Sequence, residues 1–388
     1  MTSGSRNIGR GAFLTLRVLL LAVVVGAVLA AVTKGLFQAV IWIIDLLWTE
    51  LPEAIGVNRE GIWFMVSVLG TGGVLVGLGN RLLGYYPKPL EEVTEEMKEG
   101  EPIPHRTIPA TLANSVASLG FGGPLGPESM LVSVVGGLFF WVDVRMRGMA
   151  TSVFTALTGR DEKDAGKPWQ YAPTLIASIS VVVVFHELPG GIDLSFVPAP
   201  DDPAAWEAIV MALVAGLVGG AVGLLTSKLH IRARSLAFFS RAPELVGLAA
   251  GVVVALLAMG SFEVLFSGAE ETMYLFDGSL DTGEMSFASV GKWLGLLITI
   301  AAGWKGGPIF PLMFCLGALG VAAGDLLGLD GVILYAGGVA GVVAGALGSM
   351  ALGVLVALLV VPTTLIVPLI VGAGAAGLVL RLSGSHST

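Results

Sequence analysis

The chain has 388 residues, of which 55% are hydrophobic and 13% charged, with a formal net charge of −8 and a mean hydropathy of +0.86. Soluble domains draw about a quarter of their residues from Asp, Glu, Lys and Arg, so this composition excludes a water-exposed surface of ordinary polarity; a lipid-facing exterior removes the need for one. The single cysteine, Cys315, excludes an intramolecular disulfide and reads as a small apolar residue inside a helix.

In chain order, Arg6, Arg10 and Arg17 precede an apolar run from Val18 to Trp48. That run is too long for the core of a signal peptide. It predicts a first spanning helix, tilted, with a cytoplasmic N-terminus. Lys34 and Asp45 lie on it eleven positions apart, about three turns, so they share a face but cannot touch, and an interfacial position is expected for both. Ile62–Leu83 is the second span. The loop Tyr85–Arg106 mixes Glu91, Glu92, Glu95, Glu96 and Glu99 with Lys88, Lys98 and Arg106. Its acids read as a solvated helix face, since no histidine stands at ligand spacing, and His105 reads as a loop residue.

Further apolar segments are Trp169–Phe185, Ala204–Leu225, Glu244–Phe266, Phe287–Ala302 and Leu312–Leu327. The stretch with Lys228, His230, Arg232, Arg234 and Arg241 reads as a basic cytoplasmic loop, and Glu187–Glu207, with no Lys or Arg, suits the opposite face. The tract Gly331–Leu380 carries no charge. As one helix it would reach roughly 75 Å, against a hydrocarbon core of about 30 Å. It must fold back, with Gly337-Gly338, Gly348 and Pro362 as the expected breaks.

Two interruptions share one pattern. Gly122-Gly123-Pro124-Leu125-Gly126-Pro127 lies between Thr107–Leu119 and Met130–Val142, and Gly306-Gly307-Pro308-Ile309-Phe310-Pro311 lies between Ser286–Gly303 and Leu312–Leu327. Each reads G-G-P-x-x-P. Broken helices are tolerated in a membrane where the freed backbone lines a cavity or is buried in protein, and paired breaks in two halves point to a midplane binding site. Proline suits a helix start because its missing donor would be orphaned there, while glycine lets backbone approach a ligand closely. The remaining first-turn amides and the helix dipole favour an anion. Held by partial charges alone, such an anion could still leave. The expected donors are the amides of Leu125, Gly126, Glu128, Ile309 and Phe310. A tight membrane loop is the bland alternative for one copy; the duplication argues for an anion site.

These motifs resemble the signature segments of the CLC family of chloride channels and proton-coupled chloride exchangers. Gly123–Pro127 aligns with that family's G-[K/R]-E-G-P and Gly307–Pro311 with its G-x-F-x-P, while Tyr85–Pro89 stands where the family has G-S-G-I-P. The order of apolar segments agrees from about residue 12 to 382, with residues 145–169 shortened, and the pattern looks most like a divergent bacterial ion-transport branch. The resemblance implies an all-α polytopic membrane protein built as an inverted repeat of broken, partially spanning helices. It implies one domain over 1–388 with approximate halves 12–225 and 242–382, no soluble regulatory domain and no cofactor. It also implies a homodimer in a bacterial inner membrane.

By the same resemblance the anion site comprises Gly123, Leu125, Gly126, Ile309, Phe310 and Tyr86, the last replacing the family's serine. Leu125 stands where exchangers carry the gating glutamate, no internal proton-transfer glutamate is identified, and the chain stops short of the helix bearing the family's anion-contacting tyrosine. Pro308 removes one amide. Glu128, three residues after Leu125, either replaces the gate or caps its helix. Lys305 either draws anions to a pore mouth or snorkels to headgroups. The first expectation is passive chloride conduction. The alternatives are chloride/proton antiport through Glu128 and, from another class, a membrane enzyme acting on phosphate-bearing lipids. No metal or nucleophile cluster supports the enzyme.

Overall fold

The structure, a computed structural model, describes residues 3–87, 107–138, 197–201, 204–234, 242–358 and 360–384. The expectations for Trp169–Phe185, the 145–169 region, His105, Arg241 and most of the Tyr85–Arg106 and Glu187–Glu207 loops lie outside those residues. The chain divides into two compact units: the larger, Val40–Pro87, Ala110–Ser129 and Ile192–Thr388, holds both Gly-Gly-Pro segments and Glu128, while the chain up to Ala39, with Lys34, and the stretch Val132–Gly136 belong to the other.

The described elements are helical. Helix α1 is Ser3–Asp45 and passes through a π-turn, Leu46–Glu50, into α2, Leu51–Ile55. Next come α3 (Ile62–Leu83), α4 (Ile108–Leu119) and the short α5 (Glu128–Leu131), which continues as a π-helical stretch, Val132–Gly136. Then follow α6 (Ala205–Arg234), α7 (Pro243–Ala258), α8 (Thr282–Ala301) and α9 (Ile309–Leu327). The chain closes with α10 (Gly331–Leu347), α11 (Met350–Ala357) and α12 (Ile366–Leu382). Among the described residues five helical stretches are long and apolar enough to cross a membrane: Leu16–Ile55, Ile62–Leu83, Ala205–His230, Ile309–Leu327 and Thr363–Leu382. The fold is that of an all-α polytopic membrane protein.

Helix ends follow local chemistry. Asp330 caps α10, accepting from the amides of Val332 (2.9 Å) and Ile333 (3.0 Å), and Gly348 ends it in a left-handed conformation at φ 66°. Asp281 and Glu284 form a reciprocal capping box at α8. The uncharged tract therefore turns at Gly348 and again around Pro362, as expected. It does not break at Gly337-Gly338, which lie inside α10. There, a side chain at Gly337 would run into the backbone of Ala212 in α6. These glycines let helices pack backbone to backbone, the use small residues have in membranes. Two further expectations are corrected. Lys228, His230, Arg232 and Arg234 belong to α6 and not to a loop, and the Glu244–Phe266 span ends at Ala258, where a 3₁₀ turn, Phe262–Val264, follows. Lys34 is buried, at 6% exposure.

Helix α9 lies in the protein interior. Every residue from Ile309 to Ala318 is buried, and 78% of its most apolar window is covered, against 33% for α6. A helix apolar all round and covered all round is positioned by protein, not by lipid. Its first turn is where the second Gly-Gly-Pro segment ends.

Candidate anion site

The two Gly-Gly-Pro turns meet. The Gly126 amide donates to the Gly307 carbonyl at 2.8 Å and the Gly307 amide returns the bond to Gly126 at 2.7 Å, an isolated antiparallel bridge. Each bond is worth on the order of 1 kcal/mol net; together they fix the two breaks face to face. A Cβ on Gly126 would overlap the Glu128 carboxylate, and one on Gly307 would overlap its Cγ and carboxyl carbon. Glycine is required at both positions because the Glu128 side chain crosses the bridge.

The donors at the start of α9 can be counted. A helix begins with four orphan N–H groups. Here Pro308 at the cap and Pro311 at the third position have none to offer, and the Leu312 amide is already bonded to the Pro308 carbonyl at 3.0 Å. Ile309 and Phe310 remain. Ile309 N–H donates to Glu128 Oε1 at 2.5 Å, and the Phe310 amide faces the same carboxylate. The other oxygen, Oε2, is buried and has no hydrogen-bond partner. The Glu128 carboxyl group is thus seated at the N-terminus of an interior helix, the end that favours negative charge.

The first turn behaves differently. Leu125 N–H closes onto the Gly123 carbonyl at 2.8 Å and Gly126 N–H is spent on the bridge, while Gly123 N–H bonds the Ser118 carbonyl at 3.0 Å. The expectation that Leu125 and Gly126 donate to an anion is therefore corrected: the turn satisfies its own amides because it folds back on itself and on its counterpart. Gly123, Leu125 and Gly126 form the scaffold beneath the cradle, with Leu125 fully buried.

Two other expected residues make their contacts with other groups. The Tyr86 carbonyl accepts from Asn114 Nδ2 at 2.7 Å, and among the described residues no hydrogen bond joins the Tyr86 hydroxyl to the bridge. Lys305 is buried. It is 6% exposed, its amide donates to Ser118 Oγ at 2.7 Å, and its ammonium lies 4.7 Å from the centroid of the Tyr85 ring.

Sequence reasoning missed Lys292. It is fully buried in α8, on the face that meets both α9 and the first motif: Ser289 Oγ, three residues before it, donates to the Cys315 carbonyl at 2.7 Å, and Gly295, three residues after, abuts Pro124. The signal was available, since Lys292 is the only charge in Phe287–Ala302 and an ionisable residue inside a membrane is a functional candidate by default.

Comparison with known proteins converges on one family. The family description "Voltage gated chloride channel" matches residues 165–381, more than half of the chain. The chain is 25% identical over 359 residues to "Putative ion-transport protein YfeO" of Salmonella newport (strain SL254), covering 79% of each protein. It is 23% identical over 388 residues to the protein of the same name from Escherichia coli (strain 55989 / EAEC), covering 88% of this chain and 90% of that one. In fold it is similar to a slow cyanobacterial Cl−/H+ antiporter, with a TM-score of 0.74 at 17% identity over 95% of both chains. It is also similar to a CLC-type fluoride/proton antiporter, with a TM-score of 0.72 at 17% identity over 94% of this chain and 95% of the other. The chain belongs to the voltage gated chloride channel family.

Proposed function

We propose that this protein carries chloride, or a similar small inorganic anion, across the bilayer by way of the Ile309 and Phe310 amides, with Glu128 as the gate that must leave them. The observation that carries this reading is the hydrogen bond from Ile309 N–H to Glu128 Oε1 at 2.5 Å. A carboxylate and a halide are alternative monovalent occupants of the same two donors, so one enters as the other withdraws. Both are held by partial charges and a helix end, which binds firmly enough to select an anion and weakly enough to release it.

The gate is an acid, and protonation removes the charge that holds it in the cradle. Anion entry and proton uptake are then linked, which favours chloride/proton antiport. The two fold neighbours, described as chloride/proton and fluoride/proton antiporters, lean the same way. Passive conduction is the second reading and rests on Leu125, an aliphatic residue at the position in the first motif where exchangers resembling this chain carry their glutamate. Family members are channels and transporters, and the lipid-enzyme reading is set aside. The resemblance further supports a homodimer in a bacterial inner membrane, and the basic residues Arg6, Arg10, Arg17, Lys228 and Arg232 support a cytoplasmic N-terminus.

The test is a chloride gradient imposed on proteoliposomes of purified protein. Uphill proton movement driven by chloride supports antiport. Chloride flux without proton movement supports conduction. No chloride flux in either arrangement overturns the proposal.

A further inference from the structure

Helices α6, α9 and α10 leave an open groove of about 1100 Å³ between them. That exceeds the roughly 300–1,000 Å³ of pockets that enclose a small ligand. Helix α10 packs against both α6 and α9, which scarcely meet each other, so α10 is the floor and the other two are the walls. One wall is a stripe of α6, where Val210, Val214 and Val218 recur every four residues and each is half-exposed. The other is the second half of α9, which the protein covers less than the first: Leu319 and Ala323 are half-buried and Leu327 is exposed. All of these residues belong to the larger unit.

The groove has one polar end. The start of α6, the end of α9 and the start of α10 meet there and bring Asp201, Glu207, Asp325 and Asp330 to the rim. Asp330 ties these ends together. Its Oδ1 caps α10, and its Oδ2 accepts from the Asp201 amide at 2.7 Å. Asp201, Glu207 and Asp325 are exposed, and among the described residues none of the four carboxylates is in an ion pair. Residues 168–227 and 306–380, the stretches of sequence that build the groove, contain no Lys or Arg.

Two features set the depth of this rim in a bilayer. Trp206 is exposed beside it, and indole rings collect where hydrocarbon gives way to headgroups. Glu207 and Val218 are eleven positions apart, about 16 Å along a helix. Half of a hydrocarbon core of about 30 Å is nearly the same length. The groove therefore has the depth of one leaflet, apolar walls and an anionic rim at headgroup level.

We propose that the groove seats one phospholipid with an ammonium headgroup, of the phosphatidylethanolamine type. An acyl chain lies along Val210, Val214 and Val218, and the ammonium meets Asp201, Glu207 and Asp325. Charge selects the headgroup. Ethanolamine N–H groups donate charge-assisted hydrogen bonds to carboxylates. A glycerol headgroup would leave the lipid phosphate uncompensated beside like charges. Choline carries the positive charge but has no N–H to donate.

The test is native mass spectrometry of the detergent-purified full chain, titrated with phosphatidylethanolamine, phosphatidylcholine or phosphatidylglycerol of identical acyl chains. The unmodified protein should hold one phosphatidylethanolamine per chain about tenfold more tightly than phosphatidylglycerol, with phosphatidylcholine between them. Combining Glu207→Gln with Asp325→Asn should shrink that preference to about twofold or less. Both changes keep an oxygen for the present donors, the Ala204 amide and the Thr282 hydroxyl, so the fold is retained. Val214→Trp fills the groove and should remove the bound lipid whatever its headgroup. Equal retention of ethanolamine and glycerol lipids by the unmodified protein overturns the proposal, as does a preference undiminished in the double variant. So does a Val214→Trp protein that keeps its lipid, or one that loses a second copy of the chain instead, which would make the groove a contact between subunits. Should Val214→Trp fail to fold, the double variant decides alone.

Discussion

The segments Gly122–Pro127 and Gly306–Pro311 have the same pattern of glycine and proline, yet they do opposite work. The first spends its amides on itself and on its partner, then delivers an acid, Glu128, from a helix, Glu128–Leu131, that passes at once into a π-helical stretch. The second opens a regular interior helix and presents the two amides that the acid occupies. A repeat of sequence has become a division of labour, one turn supplying the Glu128 carboxyl group and the other the Ile309 amide that it meets. The Gly126–Gly307 bridge holds the two parts in register.

That division can be broken in order of expected effect. Gly307→Ala should be the most severe, because the added methyl overlaps the Glu128 side chain and presses on the bridge. Overpacking of this kind costs about 1–3 kcal/mol, and chloride uptake by the folded fraction should fall by about tenfold or more, as a 1.4 kcal/mol change in occupancy already implies. Glu128→Gln should leave the fold intact while flattening the pH dependence of chloride uptake, since the gate can no longer exchange charge for a proton. Unchanged pH dependence would return Glu128 to a capping role.

Away from the bridge the effects should shrink. Asp281→Ala removes the side-chain half of the capping box of Thr282–Ala301 and should lower stability by about 1 kcal/mol, visible as an earlier thermal transition with half-saturating chloride unaltered. Arg81→Ala breaks the 3.1 Å ion pair with Glu244. With Arg81 69% exposed, solvent screening should leave stability and uptake little changed. A large transport defect from either would mean that the cradle is coupled to the periphery in a way the bridge does not explain.

Much of this was legible in the sequence, and the limits have physical causes. The breaks, their duplication and the proline-led helix starts are local signals, and they marked Ile309, Phe310 and Glu128. The unequal roles of the two turns were hidden because the Gly126 amide is consumed by a contact some 180 residues distant, which no local pattern encodes, and the Leu125 amide by a fold-back onto the Gly123 carbonyl. Gly337-Gly338 read as a break because a glycine pair looks the same whether it ends a helix or admits a neighbour; only the approach of Ala212 distinguishes them. Lys292 escaped notice because its partners are backbone carbonyls and a ring face, to which any sequence could contribute.

The central claim is that Ile309 and Phe310 offer one place for which Glu128 and a halide compete. The most direct measurement is anomalous diffraction from crystals of the Glu128→Ala protein soaked in bromide. The account predicts a bromide peak within hydrogen-bond reach of the Ile309 and Phe310 nitrogens, absent or weaker when Glu128 is present. Bromide bound elsewhere in the Glu128→Ala protein, with those two amides left without it, would contradict the account.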